Sequence, residues 1–192
     1  MKLVIYDCEI VNAIPGRGEE RLPDIQYCNG WTDYRGMGVS VITAYVWNEG
    51  YRVFLEDNID SFAELVQDPD TLLIGFNNRS FDDRLLEGAL GLQVPEERSW
   101  DLMQAVQNAG AARVSLDTLS RANFLPGKKG SGAFAPILWQ RGKVGQVIDY
   151  ALMDTMLTKN LVELVLAGRL RDPESGRILE VKLPTAILRE PS

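Results

Sequence analysis

Two carboxylates, Asp7 and Glu9, stand one residue apart at the end of the first apolar run of the chain, "KLVIYDCEI". Lys2 to Tyr6 form a short run rich in Val and Ile, which is typical of a buried β-strand. Because side chains alternate between the two faces of a strand, Asp7 and Glu9 point to the same side. Neighbouring like charges repel each other unless a cation lies between them. The pair therefore indicates either a solvated strand end or a cation-binding site.

Two later acids and a tyrosine stand where they could join this pair. In "IGFNNRSFDDRLL", Asp82 follows an apolar strand pattern and opens a helical one. In "VIDYALMDTML", the spacing of Tyr150 and Asp154 places both on one helix face, roughly 6 Å apart along the axis. Each also has a structural explanation, because helix N-termini favour acids and tyrosines often belong to the core. Asp154 could instead pair with one of three cations: Lys159, Arg121 or Arg141.

The composition excludes several kinds of chemistry. The chain has 192 residues, which suits one domain with its own core, and a formal net charge of −7. This charge argues against capture of nucleic acid through the overall field, although acidic metal-binding clusters contribute to such a charge. The absence of histidine excludes His-based triads, general bases and metal sites, and with only two cysteines a structural zinc site is disfavoured. Any bound metal should therefore be a hard cation held by oxygen atoms.

The order of the predicted elements indicates an α/β protein. A first strand is followed by a hairpin ("GVSVITAYVW" and "YRVFLED"), a helix, the strand "TLLIGFN", further helices and a long helix from about Val144 to Ala167. This order predicts a mixed sheet with the first strand at its centre. Residues 11–36 predict an irregular surface excursion, "LPGKKGSGAFAP" a flexible basic loop, and "DPESGR" the turn of a C-terminal β-hairpin.

The chain shows no signal-peptide pattern and no apolar run long enough to cross a bilayer. We therefore expect a cytoplasmic protein without a membrane partner, in which Cys8 and Cys28 remain reduced thiols. A small single-domain protein of this kind would also suit a phage product acting in the host cytoplasm.

Three segments resemble the three motifs of the DEDD-type, DnaQ-like 3′–5′ exonucleases. "YDCEI" matches the first motif, D-x-E; "GFNNRSFDD" matches the second, with Asn, two spacers and Phe-Asp; "YALMDT" matches the third, Tyr-x-x-x-Asp, in its tyrosine (DEDDy) branch. The matched positions are Asp7, Glu9, Asn78, Phe81, Asp82, Tyr150 and Asp154. The resemblance spans about residues 1–166, and "WDLMQAV" and "SLDTLSRANFL" are similar to the segment before the third motif. Ile10 and Val11 replace a frequent Thr of the family, and Phe76 replaces a frequent His.

This resemblance implies the fold and its division. The expected fold is a ribonuclease H-like mixed five-stranded sheet flanked by helices, with a small C-terminal β-hairpin extension. The exonuclease domain would span residues 1–167, with the irregular insertion at 11–36, and the tail would span residues 168–192.

The resemblance also implies a reaction: hydrolysis of phosphodiester bonds at the 3′ end of single-stranded nucleic acid, with DNA favoured, to release nucleoside 5′-monophosphates. Two divalent cations, Mg²⁺ or Mn²⁺, would serve as cofactors. Asp7 would bridge both ions, Glu9 and Asp154 would complete one site, and Asp82 would hold the second through water. Tyr150 would orient the attacking water.

The substrate-binding residues that we expect are Asn78, Phe81, Arg79, Lys128 and Lys129. The nucleic acid could be DNA or RNA, and a polymerase or another replication or repair protein is a further possible partner. Three alternatives stay open at this point: an RNA-trimming exoribonuclease, a nuclease that cuts at internal sites, and a non-catalytic binding module on the same fold.

Overall fold

The computed structural model describes residues 1–18, 20–127 and 132–184. The strands of the sheet are β1 (Lys2–Ile10), β2 (Val39–Val46), β3 (Gly50–Phe54), β4 (Thr71–Gly75) and β5 (Ser99–Asp101). The helices are α1 (Tyr34–Met37), α2 (Ile59–Gln67), α3 (Asp82–Leu90), α4 (Leu102–Asn108), α5 (Leu116–Ala122), α6 (Ala135–Gln140) and α7 (Val144–Leu166). Within the described ranges, no helix is both long enough and apolar enough to cross a membrane.

The sheet is mixed, with β1 at its centre and the strand order β3-β2-β1-β4-β5. β1 pairs antiparallel with β2 and parallel with β4, while β2 and β3 form the predicted hairpin. A strand hydrogen-bonded on both edges and covered on both faces must be apolar on both faces, which explains the unbroken run that begins β1. The predicted five-stranded mixed sheet with a central first strand is confirmed.

The two faces of β1 pack against different helices. Leu3 and Ile5 belong to the same hydrophobic cluster as Leu157 and Leu161 of α7. The alternate residues, such as Val4 and Tyr6, belong to a second cluster that includes residues of α2 and α3. By the same alternation, Asp7 and Glu9 lie on the face that α7 covers.

The loop predicted for residues 125–136 ends earlier than expected, because a turn of 3₁₀-helix at Gly132–Phe134 leads directly into α6. Pro136 lies in the first turn of α6, where a helix does not need its missing N–H. Residues 128–131, at the centre of the predicted loop, lie outside the described residues.

The predicted C-terminal hairpin is present as an isolated antiparallel bridge between Arg171 and Ile178. Its turn is closed by a hydrogen bond from the Asp172 backbone N–H to the Arg177 carbonyl, at 2.8 Å. The Asn123 side chain accepts from the Arg171 N–H and donates to its carbonyl, so it binds this segment much as a neighbouring strand would. The division of the chain at residues 167 and 168 stays a prediction.

The cysteines follow the prediction. Cys8 and Cys28 are both buried, free thiols. Burial, together with the nearby carboxylates of Asp82 and Asp7, raises the pKa of the Cys8 thiol well above its usual value. Cys8 lies between Asp7 and Glu9 in sequence, but its side chain is on the opposite face of β1, where the raised pKa favours the protonated thiol.

Candidate active site

One open cleft, with a volume of about 1270 Å³, brings together the acids of the three sequence motifs. Its lining includes Asp7, Glu9, Asp82, Tyr150 and Asp154. These residues come from β1, α3 and α7, which are far apart in the sequence. The structure therefore places these five predicted site residues in one cleft. The catalytic roles assigned to them stay predictions.

A buried hydroxyl pair fixes α7 to the sheet beside the first motif. Thr43 on β2 is the cross-strand neighbour of Asp7. Its hydroxyl lies 2.7 Å from the hydroxyl of Thr155, the residue that follows Asp154. Both threonines are buried, where a hydroxyl needs a hydrogen-bond partner, and the Thr155 hydroxyl also donates to the Thr43 carbonyl at 3.4 Å. The pair therefore holds the third motif at the level of the first.

A backbone hydrogen bond connects the second motif to β1. The N–H of Cys8 donates to Oδ1 of Asp82 at 3.0 Å, so the carboxyl group that begins α3 contacts the strand between Asp7 and Glu9. Burial raises the pKa of Asp82 to about 7; the Cys8 N–H opposes this shift, and the charge of Asp83 adds to it. A cation near Asp82 would relieve this cost, because opposite charge favours the ionised form.

Asp83, which the motif comparison did not select, connects three elements beneath the cleft. Its carboxylate accepts hydrogen bonds from the Tyr6 hydroxyl of β1 and from the Ser99 hydroxyl of β5, the latter at 2.6 Å. The side-chain amide of Asn78 donates to both of its oxygens at 3.3 Å. Since Asp83 follows Asp82 directly, these bonds position the start of α3 and with it the Asp82 carboxyl.

Asp101, at the end of β5, also connects separate elements through its carboxylate. Its Oδ1 accepts from the backbone N–H groups of Met103 and Gln104 and so caps α4. The same oxygen accepts from the N–H of Asn77 at 2.9 Å. Asn77 has the left-handed φ of 66°, so this bond stabilises the turn that carries the second motif.

The donor set of the cleft suits a hard metal ion, although its side chains do not form a ready-made cage. Glu9, Asp82 and Asp154 are only 7%, 7% and 5% exposed, and buried carboxylates are costly without a cation. Among residues 1–18, 20–127 and 132–184, no three acids or cysteines are already arranged to hold a metal ion. The chemistry of the donors therefore fits Mg²⁺ or Mn²⁺, and binding would require the carboxylates to adjust.

The predicted substrate-binding residues occupy different places. Phe81 lines the cleft, whereas neither Asn78 nor Arg79 belongs to its lining. Asn78 is buried and donates to Asp83 and to Ser99. The Arg79 guanidinium donates to the backbone carbonyls of Glu96 and Ser99 and to the Gln104 side chain. These two residues hold the turn after β4 in shape, and Lys128 and Lys129 lie outside the described residues.

The three cations considered as partners of Asp154 pair with other acids. Lys159 lies 2.7 Å from Glu163, Arg121 lies 2.8 Å from Asp117, and Arg141 lies 3.0 Å from Asp24. A surface ion pair with any of them therefore does not explain why Asp154 is buried beside the cleft.

Two arginines that the sequence did not single out, Arg17 and Arg113, also line the cleft, together with Trp31, an aromatic residue of a kind that can stack on single-stranded bases. Arg17 and Trp31 belong to the irregular segment 11–36, and Arg113 precedes α5. Their only sequence signal is a cation or an exposed aromatic residue inside a Gly- and Pro-rich region, which is typical of many surface loops.

Neither a protein-family model nor a curated protein sequence matches the chain. The match with the family B DNA polymerase from the hyperthermophilic archaeon Pyrobaculum calidifontis covers 93% of this chain and 26% of the polymerase chain, with a TM-score of 0.62 and 19% identity. E. coli Exonuclease I in complex with a dT13 oligonucleotide matches 85% of this chain and 40% of its own (TM-score 0.49, 14% identity). The catalytic core of RRP6 from Trypanosoma brucei matches 81% and 46% (TM-score 0.47, 12% identity).

The chain thus spans about a quarter of the polymerase and less than half of the other two proteins. At such identities the similarity concerns the fold. The polymerase match covers nearly the whole of this chain. The chain therefore has a ribonuclease H-like fold, with a mixed five-stranded sheet flanked by helices.

Proposed function

We propose that this protein is a metal-dependent 3′–5′ exonuclease of the tyrosine branch of the DEDD group, acting on single-stranded DNA and releasing nucleoside 5′-monophosphates. The observation that supports it is the cleft itself: four acids and a tyrosine from three motifs, on three separate elements, line one concave surface. The fold match to a DNA polymerase favours DNA over RNA as the substrate. We further propose residues 1–167 as the exonuclease domain, and a replication or repair protein as a partner.

The carboxylates would hold two divalent cations, Mg²⁺ or Mn²⁺. Asp7 would be shared by both ions, Glu9 and Asp154 would complete one site, and Asp82 would serve the other. When bound, the ions supply positive charge at the scissile phosphate and acidify a water molecule. The burial of Glu9, Asp82 and Asp154 supports this role, since a low-dielectric site strengthens the attraction between a carboxylate and a cation.

Tyr150 would orient the attacking water through its hydroxyl. An ordinary phenol keeps its proton at neutral pH, so it is better suited to position a nucleophile than to deprotonate it. Tyr150 lines the cleft with Asp154 one helical turn further along α7. Tyr150→Phe should therefore slow turnover while cation binding largely survives, and an equal loss of both would contradict this role.

The decisive experiment is the digestion of matched DNA and RNA strands, each labelled at the phosphate of its 3′-terminal nucleotide, with Mg²⁺, with Mn²⁺ and with EDTA. We expect metal-dependent release of mononucleotides, loss of this activity in Asp7→Asn, and wild-type activity in Asp57→Asn. Asp57 is a matched control, because it is an exposed acid outside the cleft lining. Early oligonucleotide products would instead indicate a nuclease that cuts internally. Strand binding without hydrolysis would indicate a binding module.

A further inference from the structure

Trp31 is an exposed aromatic residue inside the cleft. Its side chain is 69% exposed, although burial of a large apolar side chain would stabilise the fold. The Trp31 ring lies 6.4 Å from that of Phe81, at an interplanar angle of 67°, and both residues line the cleft that contains the acids. Phe81 also contacts the ring of Tyr34, 6.3 Å away, which supports it from the protein side.

The loop that carries Trp31 is held in shape by Asp33. The Asp33 carboxylate accepts from the backbone N–H and the side-chain amide of Asn29, both at 2.8 Å, and from the N–H of Gly36 at 3.0 Å. These backbone N–H donors lower the pKa of Asp33. The N–H of Asp33 in turn donates to the Gly30 carbonyl at 3.1 Å. None of these bonds involves the indole, so a substitution of the Trp31 side chain leaves all of them in place.

Two arginines add positive charge to the same cleft. Arg17 and Arg113 are exposed, line the cleft, and come from segments almost one hundred residues apart. The chain has a net charge of −7, and the cleft contains four acids of the motifs. A polyanion can therefore be attracted only by cations close to its path, because distant charges are screened by salt.

We infer that Trp31 and Phe81 form a stacking surface for unpaired bases, and that Arg17 and Arg113 bind the phosphates of the same strand. This inference rests on the proposed function and names the part of the cleft that selects single-stranded DNA. A base that stacks on an indole must have a free face, which paired bases inside a duplex do not offer. Because every base has such a face, the surface tolerates different sequences. Arg17 and Trp31 thus contribute to one wall of the substrate site.

The test is the binding of a 5′-labelled oligothymidylate, followed by fluorescence anisotropy with Ca²⁺ in place of Mg²⁺ and, in parallel, with EDTA. Trp31→Leu should bind roughly 5- to 150-fold more weakly, which is the effect of losing one stacked base. Trp31→Phe should recover most of the binding, because it retains an aromatic face. Phe124→Leu is the matched control: Phe124 is 90% exposed and lies outside the cleft lining, so its binding should equal that of wild type.

The arginines are tested by the salt dependence of binding. Each phosphate contact with a single strand contributes roughly 0.7 to the slope of log K against log salt, so Arg17→Ala and Arg113→Ala should each reduce the slope by about that amount. Arg169→Ala, an exposed arginine outside the cleft lining, should leave it unchanged. Circular dichroism of each variant establishes that it is folded before binding is compared.

The outcomes separate this inference from the proposed function. Weaker binding in the cleft variants but not in the controls supports the inference, even if Mg²⁺ and Mn²⁺ yield no hydrolysis and the proposed activity fails. Absence of binding by the wild type overturns it, and so does equal binding by Trp31→Leu and Phe124→Leu, even if the enzyme releases mononucleotides.

Discussion

Replacement of Asp83 by alanine should destabilise the protein strongly, although Asp83 is not one of the motif acids. The carboxylate accepts from Tyr6, Asn78 and Ser99, and these three side chains are buried. In the variant, the Tyr6 and Ser99 hydroxyls lose their acceptor where water has little access. Asn78 keeps its bond to the Ser99 hydroxyl, at 3.0 Å.

The expected loss of stability follows from the two hydroxyl donors, those of Tyr6 and Ser99, that lose their acceptor. A buried donor left without a partner costs about 1–3 kcal/mol, so the variant should lose roughly 2–6 kcal/mol of unfolding free energy. The loss of the Asp83 charge acts in the opposite direction, because that charge contributes to the raised pKa of Asp82. A domain near the middle of the usual stability range of about 5–15 kcal/mol would remain folded but be clearly weakened.

Urea unfolding of wild type, Asp83→Ala, Tyr6→Phe and the double variant measures both the cost and the coupling. Tyr6→Phe removes one of the hydroxyl donors that Asp83→Ala leaves unpaired. The double variant should therefore be more stable, by about 1–2 kcal/mol, than the sum of the two single losses of unfolding free energy predicts. Asp57→Ala serves as the exposed control. A loss below about 0.5 kcal/mol in Asp83→Ala, or strict additivity with Tyr6→Phe, would refute the claim that Asp83 holds these elements together.

Three further perturbations test the contacts around the cleft. Thr155→Val alone should cost about 1–2 kcal/mol by leaving the Thr43 hydroxyl unpaired, whereas the double valine variant should recover part of this loss in thermal unfolding. Gly75→Ala should cost about 1–3 kcal/mol in urea unfolding, because an added Cβ would lie 2.6 Å from the Cβ of Asn78. The pKa of Asp33 is lowered by the backbone N–H groups that it accepts from, so these bonds stabilise the Trp31 loop above about pH 4 and weaken as the pH falls through the folded value; tryptophan fluorescence should change in that range in wild type but not in Asp33→Ala.

The alternation of β1 is the part of the site that sequence determines most directly. Side chains along a strand point to opposite faces by geometry alone, so the same-sided placement of Asp7 and Glu9 follows once the strand is recognised. The element order predicts the mixed sheet, since a hairpin gives antiparallel strands and a crossover helix gives parallel ones. Asp7, Glu9 and Asp82 then fall at element ends, whereas Asp154 lies in the middle of α7, and all four residues line one cleft.

The supporting network was beyond sequence reasoning, because its contacts join residues far apart in the chain. Asp83 looks in sequence like a second helix-start acid beside Asp82, and its bond to Tyr6 spans 77 positions. Arg79 looks like a substrate cation because it stands beside the second motif, but its guanidinium satisfies backbone carbonyls. Local pattern shows that such a residue is polar, whereas only the packed structure shows which groups its donors reach.

The irregular segment 11–36 has no hydrophobic period, yet it contributes Arg17 and Trp31 to the cleft. Loops can carry binding groups because a rigid scaffold positions them, and here Asp33 supplies that rigidity.

The same arrangement explains how a chain of net charge −7 could bind a polyanion. At physiological salt, charges more than about 8 Å apart through solvent are largely screened, so Arg17 and Arg113 act on a phosphate in the cleft while most surface acids do not. At low salt, both the attraction from these two arginines and the repulsion from the surface acids act over longer distances. Association should therefore depend less steeply on salt than it does for a basic DNA-binding protein with the same number of phosphate contacts.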